Sequence, residues 1–189
     1  MGDAKFKMPT KSDLKGRSST ISNAFTISIT PYISPTDDQV ADFYKALDIQ
    51  EGQCAYCLGD GNGRDHLKPL VRNGMPTGYI TDINNLVPCC QACNSSKGAK
   101  DFQTWYLSPK NIKRLKSRGL TETQINHRFN VVSQFENKIG TPIDYESIVG
   151  HDLWEEFNAR RKAMIQQLQE NQRFCDTLQT MILEAINHK

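Results

Sequence analysis

Behind Thr36-Asp37-Asp38-Gln39, which has capping-box spacing, the apolar positions Val40, Phe43, Tyr44 and Leu47 share one side of a helical period and predict a helix running through Leu47. A second such start, Thr121-Glu122-Thr123-Gln124, precedes Ile125, Phe129, Val132, Phe135 and Ile139. These form an amphipathic helix with one buried face and leave His127 off the stripe, on the surface. Phe102, Trp105 and Tyr106 recur at helical spacing, and Ser108-Pro109 restarts the chain into a segment ending at Gly119. Nearer the N-terminus, Phe25-Thr26-Ile27-Ser28-Ile29-Thr30 alternates with a strand-like period of two until Ser34-Pro35 breaks the chain, although so short a run leaves a helix open. From His151 to Lys189 there is neither Pro nor Gly, which predicts one long helix or a broken pair. Its positions Phe157, Arg161, Met164, Leu168, Asn171, Cys175, Leu178, Ile182 and Ala185 step alternately by four and three, the spacing of a coiled coil with polar breaks at Arg161 and Asn171. Such a stripe serves either packing onto its own domain or a homodimer contact.

The middle of the chain is organised by cysteines rather than by apolar periodicity. Cys54-Ala55-Tyr56-Cys57 and Cys90-Gln91-Ala92-Cys93 form a C-x2-C-x32-C-x2-C arrangement, two tight knuckles that can each offer two thiolates to one tetrahedral ion. Four soft sulfur ligands predict a structural Zn²⁺, one per chain, with no open position for chemistry; disulfides or plain apolar cysteines are the alternatives. Cys89, in the run Leu86-Val87-Pro88-Cys89, and Cys175, on a helix face, lie outside the pattern and read as core residues. Between the knuckles stands Asp65-His66. Neighbours on a strand point to opposite faces, so the two serve one site only if the strand ends or bends there, and Pro69 gives it reason to. Turn-rich Asn73-Gly74-Met75-Pro76-Thr77-Gly78 and the link Asn84-Asn85-Leu86-Val87-Pro88 lead to the second knuckle, where Cys93 fixes the direction of Asn94 at the start of a helix. A hairpin followed by a helix, stapled by metal at both ends, is the economical fold.

The order Asp65-His66, Pro69-Leu70, Asn85-Leu86, Cys90-x2-Cys93-Asn94 and Lys97 resembles the HNH, or ββα-metal, endonuclease motif in its zinc-knuckle form. The resemblance covers about 45 residues of the 189. It implies that Asp65 and Asn94 hold one catalytic Mg²⁺ or Mn²⁺ per active site, that His66 is the general base, and that Asn85 orients the histidine and shapes the loop. Aspartate and asparagine stand where many members carry histidines, a combination similar to phage junction-resolving nucleases and to the nuclease half of RNA-guided effectors. Both changes supply oxygen ligands, which suit a hard cation. A neutral imidazole with a pKa near 6.5 is poised to take a proton from water, and the ion to offset charge on the phosphate and on the leaving oxygen.

The formal charge of +2 conceals an uneven distribution, because between Asn94 and Arg118 seven basic residues face one acid, Asp101. Such a run suits the phosphate backbone, with Lys68, Arg72, Lys97, Lys110, Lys113 and Arg114 as candidate contacts. A hydrophobic content of 38% is low for a large core, a shortage that a metal staple offsets. The absence of a membrane-length apolar run or a signal-peptide core places the protein in the cytoplasm, where reduced thiols favour zinc.

The expected class is therefore α+β: a zinc-stapled ββα-metal core over residues 54–107, flanked by mainly helical segments. Residues 1–20 form a basic arm, loose or laid on DNA; 21–53 form a flanking segment, and 108–189 a helical region for DNA grip and dimerisation. The function implied is a sequence-specific endonuclease on double-stranded DNA, of the type II restriction kind, leaving 5′-phosphate ends. A junction-resolving or homing nuclease and a non-catalytic zinc-knuckle DNA-binding protein are the rivals.

Overall fold

The computed structural model describes residue 9 and residues 13–187, so Lys5, Lys7 and Lys11 of the expected basic arm lie outside the described residues. The chain divides into two compact units, Thr26–Tyr145 and a second formed by Met1–Phe25 with Glu146–Lys189.

The first described helix corrects the strand expected around Phe25. Helix α1 spans Ser18–Ile27 and turns Ser22 and Thr26 inward, a four-residue repeat that the alternation of Phe25, Ile27 and Ile29 obscured. Period two in so short a β-branched run does not outweigh helical contacts made at i and i+4. Ile27 and Ile29, which a half-buried strand would have covered on one side, are instead exposed.

In the unit Thr26–Tyr145, helix α2 (Asp37–Ala46) begins at the expected capping box: Thr36 accepts from the Gln39 amide, and the Gln39 side chain accepts from the Thr36 amide. Phe43 and Leu47 enter the core while Val40 stays toward solvent. Strand β1 (Gly63–His66) pairs antiparallel with β4 (Leu86–Cys89), placing Asp65 opposite Val87 and His66 opposite Leu86. A small hairpin of β2 (Val71–Arg72) and β3 (Met75–Pro76) lies between them in sequence. Its two-residue turn has Asn73 at φ 54° and Gly74 at φ 75°, the left-handed pair that Asn-Gly adopts at little cost.

Helix α3 (Gln91–Lys97) starts at the second knuckle, and α4 (Phe102–Tyr106) buries all three of its aromatic residues. Ser108 caps α5 (Pro109–Ser117), and the second expected capping box opens α6 (Glu122–Glu136). Each cap of this kind is worth about 1 kcal/mol. Ile125, Val132 and Phe135 on α6 join Phe43, Leu47, Tyr56, Leu67, Val87, Phe102 and Tyr106 in one core, with Phe129 and Ile139 at its edge.

In the other unit, α7 (Tyr145–Val149) leads to α8 (His151–Asn187), a single helix of 37 residues where either one helix or a broken pair was expected. As far as Gln172 it packs within its own unit: Phe157 stacks on Phe25 at 5.0 Å, Arg161 donates to Ser22 Oγ, and Gln172 accepts from the Leu14 amide. In its second half Phe174, Leu178, Met181, Ile182, Leu183 and Ile186 are exposed. Cys175, expected in a core, is exposed there too. No helix among the described residues is long and apolar enough to cross a membrane.

Candidate active site

The four cysteines Cys54, Cys57, Cys90 and Cys93 come together with their sulfurs all within 4.8 Å of one another. A zinc–sulfur bond of about 2.3 Å sets tetrahedral sulfurs about 3.8 Å apart. Cys57 and Cys90, one from each knuckle, stand 3.8 Å apart, so the donor set fits such an ion. Backbone geometry builds the site. Cys54 N–H bonds the Gly59 carbonyl at 2.7 Å and Leu58 N–H bonds the Cys54 carbonyl at 2.9 Å, closing the first knuckle. Gly61 seals it, since a Cβ there would meet the Gln53 backbone at 2.5 Å. In the second knuckle Cys90 caps α3 through a contact of its sulfur with the Cys93 amide. Burial raises the Cys90 thiol pKa, but hydrogen bonds from Arg118 and Cys93 together outweigh it and the net shift is downward. Cys89 lies in the core as expected, and burial pushes its thiol up to about 12, an inert form.

Helix α3 lies along β1. Asn94 Nδ2 donates to the Arg64 carbonyl at 3.2 Å, and Lys97 Nζ donates to the His66 carbonyl at 2.8 Å. Asp65 is buried, and its Oδ2 accepts the Tyr56 hydroxyl at 2.6 Å and pairs with Lys97 at 3.1 Å. His66 is half-buried, with its Nε2 3.0 Å from Thr81 Oγ1. Strand β1 ends at His66, as Pro69 led one to expect. Burial holds the imidazole pKa below 6.5, Lys97 adds to that, and Asp65 and Asp82 oppose it.

Asn85 is buried and bonds backbone alone. Its Oδ1 accepts the Lys68 amide at 2.8 Å, and its Nδ2 donates to the carbonyls of Lys68 at 3.1 Å and Ile80 at 2.9 Å. It thereby sets the chain two residues beyond His66. Asp65 and His66 thus lie on β1, Asn85 on the turn before β4 and Asn94 on α3, each held by a bond to another part of the unit.

The basic residues are placed differently from the expectation. Lys97, read as a phosphate contact, is 0% exposed and occupied by Asp65 and the His66 carbonyl. Arg114 donates to the Ala92 carbonyl, to Asn111 Oδ1 and to Cys93 Sγ, and lies over the Trp105 ring. Lys68 pairs with Glu136 at 2.8 Å, which raises its pKa even though burial works in the opposite direction. Arg72, Lys110 and Lys113 remain exposed.

Three residues that brace the candidate site were not recognised from the sequence. Tyr56, between two cysteines, donates its hydroxyl to the Asp65 carboxylate. Thr81 sets its hydroxyl against the His66 ring. Arg128 falls on the polar side of the α6 stripe, yet it is buried and donates to the carbonyls of Ala55, Asp48 and Leu47, tying the first knuckle to the end of α2. An arginine flanked by apolar positions at i−3 and i+4, here Ile125 and Val132, was the one available signal. His127 lies at the surface as expected, 2.7 Å from Asp48.

Comparison of the chain with curated proteins and with solved structures finds no match. Residues 54–100 match the family HNH endonuclease, a span that begins at the first zinc-type cysteine and ends just beyond Lys97.

Proposed function

We propose that the chain is a divalent-metal-dependent endonuclease that hydrolyses phosphodiester bonds in double-stranded DNA, and that its biological role is that of a type II restriction enzyme. The observation that carries this reading is the coincidence of three things in one segment: the HNH endonuclease match over residues 54–100, the four-cysteine centre, and a strand-plus-helix frame bearing Asp65, His66 and Asn94.

In this reading Zn²⁺ sits on Cys54, Cys57, Cys90 and Cys93 and takes no part in the reaction. Asp65 and Asn94 would hold one Mg²⁺ or Mn²⁺, which supplies Lewis-acid stabilisation of the phosphate and of the departing 3′ oxygen. The donors suit a hard cation. Tyr56 and Lys97 occupy one oxygen of Asp65, and the Asn94 amide nitrogen is used on Arg64, so each side chain keeps an oxygen for a ligand. His66 takes the proton of the attacking water. In the tautomer whose Nε2–H donates to Thr81 Oγ1, the Nδ1 lone pair is the acceptor, and the lowered pKa keeps the ring neutral at physiological pH. Asn85 acts through the backbone of Lys68 rather than on the imidazole itself.

Exposed Arg72, Lys110 and Lys113 remain as phosphate contacts. The exposed apolar end of α8 supports a homodimer, which would present two active sites to the two strands.

Plasmid digestion with Mg²⁺ or Mn²⁺, followed by sequencing of the ends, tests the proposal. Discrete fragments with 5′-phosphates are expected, and His66→Ala should abolish cutting while leaving DNA affinity within a few-fold. Cleavage confined to branched DNA would shift the role to junction resolution. Wild-type protein that nicks no DNA with either ion would end the enzyme reading.

A further inference from the structure

The geometry points to Arg114 and Arg118 as part of the zinc centre: a pair of guanidinium donors that offset the charge of the thiolates and lock the metal in. The inference rests on the zinc reading above and is independent of the nuclease reading. Arg118, just past the last turn of α5, places Nη1 3.2 Å from Cys57 Sγ and 3.3 Å from Cys90 Sγ, one sulfur from each knuckle. Arg114, one turn earlier, places Nη2 3.4 Å from Cys93 Sγ, while its Nη1 holds the Ala92 carbonyl at 2.8 Å.

The arginine side chains are themselves positioned. Asn111 Oδ1 accepts from Arg114 Nε at 3.0 Å and Nη2 at 2.6 Å, and the guanidinium lies 5.5 Å from the Trp105 ring centroid. Four thiolates on a divalent cation carry a net charge of −2, and Cys54, Cys57 and Cys93 are buried, where uncompensated charge is costly. Two guanidiniums bring the sum to zero. Their N–H donors also hold the sulfurs in place around the ion, slowing the departure of a thiolate. Because Arg118 bridges the knuckles, it adds a side-chain tie between two halves of the centre that the Ala55 amide and the Pro88 carbonyl also join at 2.8 Å. The two arginines of this basic run thus serve the cysteine centre, which a charge count cannot reveal.

The test is the rate of zinc release to a chromogenic chelator from the full chain as purified. It compares wild type with Arg118→Gln, Arg114→Gln, the double variant, Arg118→Lys and, as a control on the same helix, Lys116→Gln, whose side chain pairs with Glu122 instead. Release about tenfold faster is expected for each single Gln variant and faster still for the double. Arg118→Lys should be intermediate, and Lys116→Gln unchanged. Cobalt-substituted protein gives a second readout: the sulfur-to-cobalt charge-transfer band should shift in Arg118→Gln and not in Lys116→Gln. Release at the wild-type rate with an unmoved band, or equal acceleration by Lys116→Gln, would overturn the inference. If Arg118→Gln does not fold, Arg118→Lys carries the comparison, and a wild-type rate for it defeats the proposal. Protein purified without zinc would defeat the zinc reading together with this one, whereas loss of DNA cutting with normal zinc retention would touch only the nuclease reading.

Discussion

The two units solve the same problem with opposite means. The unit Thr26–Tyr145 has little sheet, two pairs of short strands, and holds itself together by polar and sulfur locks: four cysteines, a buried Lys97–Asp65 pair and a buried Arg128 on three carbonyls. The other unit is built on one 37-residue helix whose first half is covered by α1 and whose second half leaves six large apolar side chains to solvent. Where clustered sulfurs and hydrogen bonds specify the fold, positions are fixed one by one, and a polar group can be held to a fraction of an ångström. Where only an apolar stripe is available, it provides adhesion without a fixed register.

The sharpest way to separate the two is to break the four-cysteine centre. Cys90→Ser takes one thiolate from the centre and the cap from α3, and apparent zinc binding energies of about 10–16 kcal/mol at such sites exceed the stability of most domains. We expect loss of the near-ultraviolet circular dichroism signal of Tyr56, Trp105 and Tyr106, loss of zinc and loss of DNA cutting. Much of the far-ultraviolet helical signal should survive, carried by α8. A variant that keeps its aromatic signal and its cutting would show that the apolar core alone sustains this unit.

Less drastic is Tyr56→Phe. The ring keeps its contacts with Phe102 and Trp105 at 5.8 and 5.0 Å, and only the hydroxyl on Asp65 is deleted. Partners of a ligand at this remove change metal affinity by about 10–100-fold. The Mn²⁺ concentration giving half-maximal cutting, and Mn²⁺ binding followed by electron paramagnetic resonance, should both move by about that factor with zinc content unchanged. A normal Mn²⁺ requirement would reduce Tyr56 to a packing residue.

The legibility of the chain follows the same division. Capping boxes at Thr36 and Thr121 and the start at Ser108-Pro109 were readable because a cap is a bond between near neighbours in sequence. The knuckles were readable because metal ligands must be paired at short spacing. What could not be read is where long polar side chains end. Lys97, Arg114 and Arg118 belong to one basic run, and only the fold reveals that they turn toward a carboxylate and three thiolates. Tyr56 was hidden for the same reason, its partner nine residues away on another element. Helix α1 was misjudged because a two-residue period in a few β-branched positions says little about which neighbour covers them.

A smaller effect is expected in the pH profile. Burial lowers the His66 pKa from 6.5, so the neutral, proton-accepting ring persists to lower pH than in a free histidine. The acid limb of kcat/KM should have its midpoint below 6.5, with activity rising as pH climbs through it. The same sign governs stability: the contribution of neutral His66 is present above the unfolded value and is lost as pH falls through the depressed folded value. A midpoint at or above 6.5 would place the titrating base elsewhere.

The smallest effect on the fold, and the most informative about the other unit, comes from Ile182→Glu. The side chain is exposed, so a change in stability within about 0.5 kcal/mol is expected for the monomer. If the exposed stripe of Phe174, Leu178, Met181 and Ile182 seats a second copy of the chain, a carboxylate in it is buried without a partner on association, a cost of several kcal/mol per interface and a weakening of the dimer by orders of magnitude. Light scattering on eluted peaks would then show the mass fall from two chains to one while the melting of the cysteine-centred unit stays put. Two strands of DNA cut in one encounter should become two separate nicks, because each chain would reach one strand alone. A wild type that already elutes as one chain and still cuts both strands together would remove the dimer from the mechanism and leave the apolar end of α8 to some other partner.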